Sequence, residues 1–381
     1  MSVGELLEQI AEVGLDPETR GYHRFSYSGA DVQMRDWFVR QALARGFRTE
    51  TDRNGNLWAT RGDGPYLVTG SHLDSVPNGG AYDGPLGIAT AFAALDLVDQ
   101  QRDVAVVAFA EEEGSRFGVA CLGSRLATGA IDPEQARRFE DRNGVSLEDA
   151  LGAVGIDAGE LGPDPERLDR IESFIEVHIE QGRGLADVDS PLAVAASIWP
   201  HGRWRLDFNG RPDHAGTTRM DDRQDPMVAF AGMVLRLTEQ AQALAARATF
   251  GRVHVTPNAT NAIPSRVSAW LDARAATDED LIVLIDSVSA RNGVEMSAES
   301  LTAAVTFDPN LRDRISALLG GPPLLSTAAG HDAGILSTYG IPTAMIFVRN
   351  PTGVSHSPDE YASPEDCDAG VEALAKLLNE L

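Results

Sequence analysis

The sequence predicts an α/β fold: a mostly parallel sheet flanked by helices, with a smaller α+β domain inserted into it. Three observations carry this expectation. Two short, continuously apolar runs, Tyr66 to Gly70 and Val104 to Ala110, bracket an Ala- and Leu-rich stretch from Leu86 to Val98, giving strand, helix, strand. Polar residues cluster directly after the apolar runs. From about residue 190 to 305 the pattern changes to the alternation of strands with one solvated face. At 381 residues the chain is also long for a single core.

Taken in order, the first apolar run ends in Gly70 and leads into a loop containing Pro77, Gly79, Gly80, Gly84 and Pro85. The helix from Leu86 is apolar on several sides, as a helix covering a buried sheet should be. A third strand, Ile171 to Val177, ends at His178. Trp204 to Phe208 alternates, Pro226 to Ala246 reads as a helix, and Val267, Ala269, Leu271 and Ala273 alternate with Ser268, Trp270, Asp272 and Arg274. Asp280 to Val288 reads as a second helix and Ser300 to Phe307 as a further strand. Thr343 to Val348 resumes the first sheet, and Ser363-Pro364-Glu365-Asp366 caps a C-terminal helix. The expected domains are therefore 1–189 with 306–381, and an insertion at 190–305.

Composition narrows the function. With 57 acidic against 32 basic residues the net charge is −25, which repels nucleic-acid phosphate and anionic lipid, so neither is an expected partner. The chain is 43% hydrophobic with 37 Gly and 20 Pro, ordinary for a loop-rich globular protein. Cys121 and Cys367 could form one bridge but give no disulfide framework. The first residues lack the basic-then-apolar pattern of a secretory signal, and no apolar run reaches the ~20 residues of a membrane span. A cytoplasmic location is the expectation.

The chemistry sits where strands end. In open α/β sheets ligands bind beyond the carboxyl ends of the strands. There the sequence places His72 and Asp74, then Asp83, then Glu111-Glu112-Glu113, then His178. In an extended segment His72 and Asp74 share a side, so the aspartate can accept the proton of the far imidazole nitrogen or steady the loop. Read alone, this pair is better explained as a surface turn, and Asp83 as a helix cap. Yet a carboxylate has two oxygens and can bridge two cations about 3.5–4 Å apart. Three consecutive glutamates after a buried strand repel one another unless a cation neutralises them. One can then bind the ion while its neighbour handles a proton. His178 and His356, two of only 8 histidines, complete the set.

The strings GSHLDSVPNGGAYDGPLG, EEEGSRFG, HIEQG, DHAGTTRMDDRQDP, GHDAG and HSPDEY resemble the amidase, hydantoinase and carbamoylase branch of the dinuclear zinc aminopeptidase/carboxypeptidase-like superfamily. The resemblance runs from about residue 66 to 366. It implies two divalent ions per subunit, zinc first, with manganese, cobalt or nickel as alternatives. His72, Asp83 and His178 would bind one ion, and Asp83, Glu113 and His356 the other. Glu112 would be the general base and then acid, and Asp74 the partner of His72. His214 would polarise the scissile carbonyl, reaching the partner subunit's site. Gln181, Asn261 and Arg274 would hold the substrate, Arg274 by its carboxylate, and the loop at Gly330 would offer backbone donors. The inserted domain would act as a lid and dimer interface. Related peptidases carry an acidic residue where His178 stands.

The implied activity is hydrolysis of a small carboxylated amide or ureido compound. N-carbamoyl-L-amino acids, giving amino acid, ammonia and carbon dioxide, come first and allantoate second. A dipeptidase or aminoacylase is a third reading. A non-catalytic metal-binding protein is a fourth, disfavoured because Glu112 is retained beside Glu113.

Overall fold

The computed structural model describes residues 1–98, 102–289 and 294–381. The chain divides into two compact units, Met1–Ala196 with Thr306–Leu381, and Ser197–Val305. In chain order the strands are β1 (Arg48–Thr51), β2 (Leu57–Arg61), β3 (Tyr66–His72), β4 (Val104–Phe109), β5 (Ile171–Ile179), β6 (Leu192–Ile198), β7 (His201–Asn209), β8 (Asp213–His214), β9 (Arg247–Thr256), β10 (Ala262–Ile263), β11 (Arg266–Arg274), β12 (Val294–Thr302), β13 (Val305–Thr306), β14 (Leu324–Thr327) and β15 (Thr343–Val348).

In the first unit the described residues form a nine-stranded sheet ordered β1-β2-β4-β3-β5-β15-β6-β13, with β14 on β6. Its centre is parallel: β3 pairs with β4 and β5, and β15 with β5. The flanking pairs β1 with β2, β2 with β4, and β15 with β6 are antiparallel. Every residue of β3, β4 and β15 is buried, which is why these strands are continuously apolar rather than alternating. The helix Pro85–Leu95 is buried along its whole length, and its Ala-rich sequence lets it lie close to the sheet. The C-terminal helix Pro364–Glu380 starts at Ser363, whose hydroxyl accepts the Asp366 N–H.

The second unit is a four-stranded antiparallel sheet, β12-β7-β11-β9, with helices Pro226–Ala243 and Asp278–Ser289 covering one face. Its core is built by alternate residues: Trp204, Leu206 and Phe208 of β7 and Val267, Ala269, Leu271 and Ala273 of β11 meet Met233 and Leu237 of the longer helix. The single strand expected over Ser300 to Phe307 is corrected. Residues up to Thr302 finish β12 of this sheet, whereas Val305–Thr306 form β13 of the large one. The break falls where the chain passes from one unit to the other, a tertiary event that an apolar pattern does not record. Among the described residues no helix is long and apolar enough to cross a membrane.

Candidate metal centre

Four neighbouring parallel strands, β4, β3, β5 and β15, deliver their following residues to one sheet edge. His72 is the last residue of β3, Glu111 to Glu113 follow β4, and His178 lies one residue before the end of β5. His356 stands in the loop after β15. Asp83 arrives on the turn before the buried helix. Gly84 is required there: its φ is +84°, and a Cβ on it would lie 2.5 Å from the His72 ring.

The two oxygens of Asp83 face different histidines. Its Oδ1 lies 3.3 Å from His178 Nε2 and 3.7 Å from His72 Nε2. Its Oδ2 lies 3.4 Å from His356 Nε2, which in turn is 3.6 Å from Glu113 Oε2. His72, Asp83 and His178 thus form one set of potential ligands within 4.8 Å, and Asp83, Glu113 and His356 another. These separations are long for hydrogen bonds but suit a shared cation. Donors about 2.1 Å from a tetrahedral ion stand about 3.4 Å apart.

Unmet polar atoms point the same way. His72 Nε2, His178 Nε2 and Glu113 Oε1 are buried without a hydrogen-bond partner in the protein, a costly arrangement unless something else binds them. The opposite ring nitrogens are fixed, His72 Nδ1 by the Asp74 carbonyl at 3.1 Å and His178 Nδ1 by the Ile179 carbonyl at 2.9 Å. A proton on Nδ1 leaves the Nε2 lone pair for an ion. Charge balance agrees. Burial, and then Asp83, push the Glu113 carboxyl well above the usual range. Burial opposes charge on Asp83 too, but His178 and His72 outweigh it and hold that carboxyl well below its usual range. Burial disfavours a proton on His72, yet Glu112, Asp74 and Asp83 together raise the imidazole well above its ordinary value. The donor set fits two divalent cations.

The three glutamates divide the work. Glu111, with φ of +54°, turns its carboxylate back to accept the N–H groups of Arg116 at 2.8 Å and Phe117 at 2.7 Å. Glu113 faces His356. Glu112 belongs to neither ligand set: its Oε2 is 3.7 Å from His72 Nε2 and its Oε1 is 3.9 Å from His331 Nδ1. The Cys121 thiol donates to that Oε1 at 3.7 Å. Burial, with Glu113, Asp332 and Asp74, pushes Glu112 well above the usual carboxylate range against the pull of His72.

Asp74 departs from the first of its two expected roles. The atom facing His72 Nδ1 at hydrogen-bond distance is its backbone oxygen, and its nearer carboxylate oxygen is 3.6 Å away. The carboxylate instead receives the N–H groups of Glu112 and Glu113, both at 3.2 Å. Gln181 Nε2 donates to Asp83 Oδ2 at 3.0 Å and lies 3.3 Å from His356 Nε2. Gly330 sits in the loop before the helix Asp332–Tyr339, and the buried His331 beside it has an Nδ1 without a hydrogen-bond partner in the protein.

The remaining expected residues lie in the second unit. His214 of β8 and Asn261 are brought together, since β8 pairs with β10 and the Ala215 N–H donates to the Asn261 carbonyl. The Gly216 N–H donates to His214 Nδ1 at 3.0 Å, so the neutral imidazole carries its proton on Nε2. Arg274 ends β11, with Nε and Nη2 directed at Asp272 at 2.8 and 3.2 Å.

Sequence reasoning missed three contributors. Glu176, His178 and His331 form a further buried group of potential ligands that shares His178 with the first set. Glu360 accepts the N–H groups of Tyr82 and Asp83. The signal for Glu360 was present, as it lies in the same string as His356. Glu176 was masked by its place inside an apolar strand.

The pattern of Peptidase family M20/M25/M40 matches residues 68–380. An N-carbamoyl-L-amino acid amidohydrolase of Geobacillus stearothermophilus is 33% identical, the alignment covering 97% of this chain and 95% of that protein. An allantoate amidohydrolase of Escherichia coli K12 is 31% identical over 100% and 97% of the two chains. The crystal structure of an amidase of the hydantoinase/carbamoylase family from Burkholderia multivorans superposes with a TM-score of 0.84 at 28% identity, covering 99% of this chain and 96% of that one.

Proposed function

This chain belongs to Peptidase family M20/M25/M40, and from that premise we propose that it hydrolyses the C–N bond of a ureido or carbamoyl group on a small carboxylated substrate. N-carbamoyl-L-amino acids are the first substrate class, giving the L-amino acid, ammonia and carbon dioxide. Allantoate is the second, supported by the full-length relative of that name. The observation that carries the reading is Asp83, one oxygen toward His72 and His178 and the other toward His356, with Glu112 buried beside it outside both sets.

In this reading His72, Asp83 and His178 hold one ion and Asp83, Glu113 and His356 the other, zinc before manganese, cobalt or nickel. Bound divalent ions would supply Lewis acidity and lower the pKa of water. Glu112 takes the proton of the attacking water at Oε2, the oxygen nearer His72, and returns it to the leaving nitrogen as the C–N bond breaks. Asp74 keeps that base in place by holding its backbone N–H.

His214 donates its Nε2 proton to the oxygen that gains charge as water adds to the carbonyl. Gly216 sets that tautomer. Arg274 recognises the substrate carboxylate, with Asp272 orienting its planar fork. Gln181, Asn261 and the backbone at Gly330 complete recognition. The second unit serves as lid and homodimer interface, and the enzyme works in the cytoplasm.

The test measures ammonia release from N-carbamoyl-L-amino acids and from allantoate side by side, with metal-replete protein. Turnover of the former supports the first class, and turnover of allantoate alone replaces it with the second. Turnover of neither, with dipeptides or N-acetyl-amino acids cleaved instead, rejects the reading.

A further inference from the structure

Glu360 is buried, only 4% exposed, and ties together two loops that meet at Asp83. Its Oε1 accepts the N–H groups of Tyr82 at 3.0 Å and Asp83 at 2.9 Å, on the turn after β3. Its Oε2 lies 3.4 Å from Ser355 Oγ, in the loop after β15, and that hydroxyl is also 3.4 Å from Asp83 Oδ2. Its own N–H donates to the Ser357 carbonyl at 3.1 Å, closing a turn over residues 357–360 directly after His356. The approach is close enough to demand glycine opposite it: a Cβ on Gly80 would lie 2.4 Å from Glu360 Oε1.

The two proposed ion positions are supported unequally. His72 and His178 lie on buried central strands, each fixed through Nδ1. His356 lies in a loop, with φ of +55° and a side chain 48% exposed. Ser355 and Glu360 tie its loop to Asp83, beside Gln181, which donates to Asp83 Oδ2 and lies 3.3 Å from His356 Nε2.

We propose that Glu360 is a positioning residue that couples the two ion positions, so that an ion held by His72, Asp83 and His178 presets His356 and Glu113 for the second. The proposal rests on the two-ion reading above. Carboxylate groups that orient ligands from behind are worth about 10–100-fold in metal affinity. Here the cost of removing one falls on the second ion, because the first has two ligands that Glu360 does not touch. Glu360→Gln keeps an acceptor oxygen for both N–H groups and can donate from its amide to Ser355 Oγ. Glu360→Ala keeps neither.

The experiment titrates zinc alone into metal-free, full-length protein by calorimetry and reads the number of ions and the affinity of each. Wild type is expected to take two ions per chain in one unresolved transition. Glu360→Ala should retain the first ion and bind the second about 10–100-fold more weakly, splitting the transition, while Glu360→Gln stays close to wild type. Ser355→Ala should weaken the second ion by a smaller factor and leave the first unchanged, and it decides the matter if Glu360→Ala does not fold. The proposal is overturned if Glu360→Ala binds both ions as wild type does, if both ions weaken equally, or if Glu360→Gln loses as much as Glu360→Ala. It is overturned too if Ser355→Ala leaves the second ion unchanged. A wild type holding fewer than two ions rejects the two-ion reading itself.

Discussion

The carboxylate of Asp74 accepts the backbone N–H of Glu112 at 3.2 Å, so a residue two positions after one candidate ligand also fixes the proposed base in the turn that follows the neighbouring strand. Because Glu113 donates to the other Asp74 oxygen, Asp74→Ala would leave two amide N–H groups without acceptors at a buried turn. Each such loss costs about 1–3 kcal/mol. The variant should therefore unfold at lower urea concentration in metal-free form and lose turnover. Asp74→Asn, with one acceptor oxygen, should fall between. Equal unfolding midpoints for Asp74→Ala and wild type would show that the carboxylate is not holding this turn.

Glu112 stands outside both ligand sets, which separates proton transfer from metal retention. Glu112→Gln preserves shape and removes only the ability to take a proton. Its expected phenotype is full metal content by elemental analysis with kcat reduced ~10²–10⁴-fold. Activity near wild type would assign the base elsewhere.

How far the sequence could be read depended on whether a residue's role was local. The buried strands β3, β4 and β15 were visible as apolar runs because both faces are covered, and the Ser363 cap because its partner is three residues away. His72, Asp83, Glu113, His178 and His356 could be singled out from residue type and position after strands. Their meeting at one sheet edge followed from the rule that ligands bind beyond the carboxyl ends of parallel strands, and their division into two sets from the resemblance, but the strand order β4-β3-β5-β15 that makes them neighbours is recorded by no local pattern. Asp74 shows the same limit at a finer scale. Its spacing from His72 suggested a side-chain hydrogen bond, but loop geometry turns the carbonyl to the imidazole, leaves the carboxylate 3.6 Å from that ring and gives the carboxylate the Glu112 N–H. The division of Ser300 to Phe307 between two sheets was hidden for the same reason.

Crowded carboxylates make the metal-free protein sensitive to pH. Burial, with Asp74, raises Glu111 to about 7, and burial, with Asp83, raises Glu360 to about 8. His72, Glu112 and Glu113 are raised well above their ordinary values. A raised folded-state value means the native chain keeps protons that the unfolded chain has already lost. That stability is complete below the ordinary carboxylate range near ~4.5 and fades as pH climbs through 7 to 8. Asp83 has the opposite sign, but its held-down value places its effect at lower pH. The Tm of metal-free protein should fall between about pH 5 and about pH 8. Zinc should flatten the profile, with affinity rising with pH because ligands must shed protons. A Tm that climbs across this range without metal would contradict the electrostatic account.

His214 offers the most direct test of assembly. If it serves the partner subunit's site, Glu112→Gln and His214→Ala homodimers should each be inactive, His214→Ala by about 10²–10³-fold with metal content unchanged. Mixing the two through subunit exchange changes the count. A hybrid dimer has one site lacking both groups and one site with both, because each chain supplies what the other has lost. Random exchange makes half the dimers hybrid, and each hybrid has one working site of two, so about a quarter of wild-type activity should return. If His214 instead acts within its own chain, every site in the mixture lacks one group or the other and nothing is regained. Recovery on mixing, followed by ammonia release and absent when exchange is blocked by crosslinking each homodimer first, would establish both the dimer and the crossing of His214.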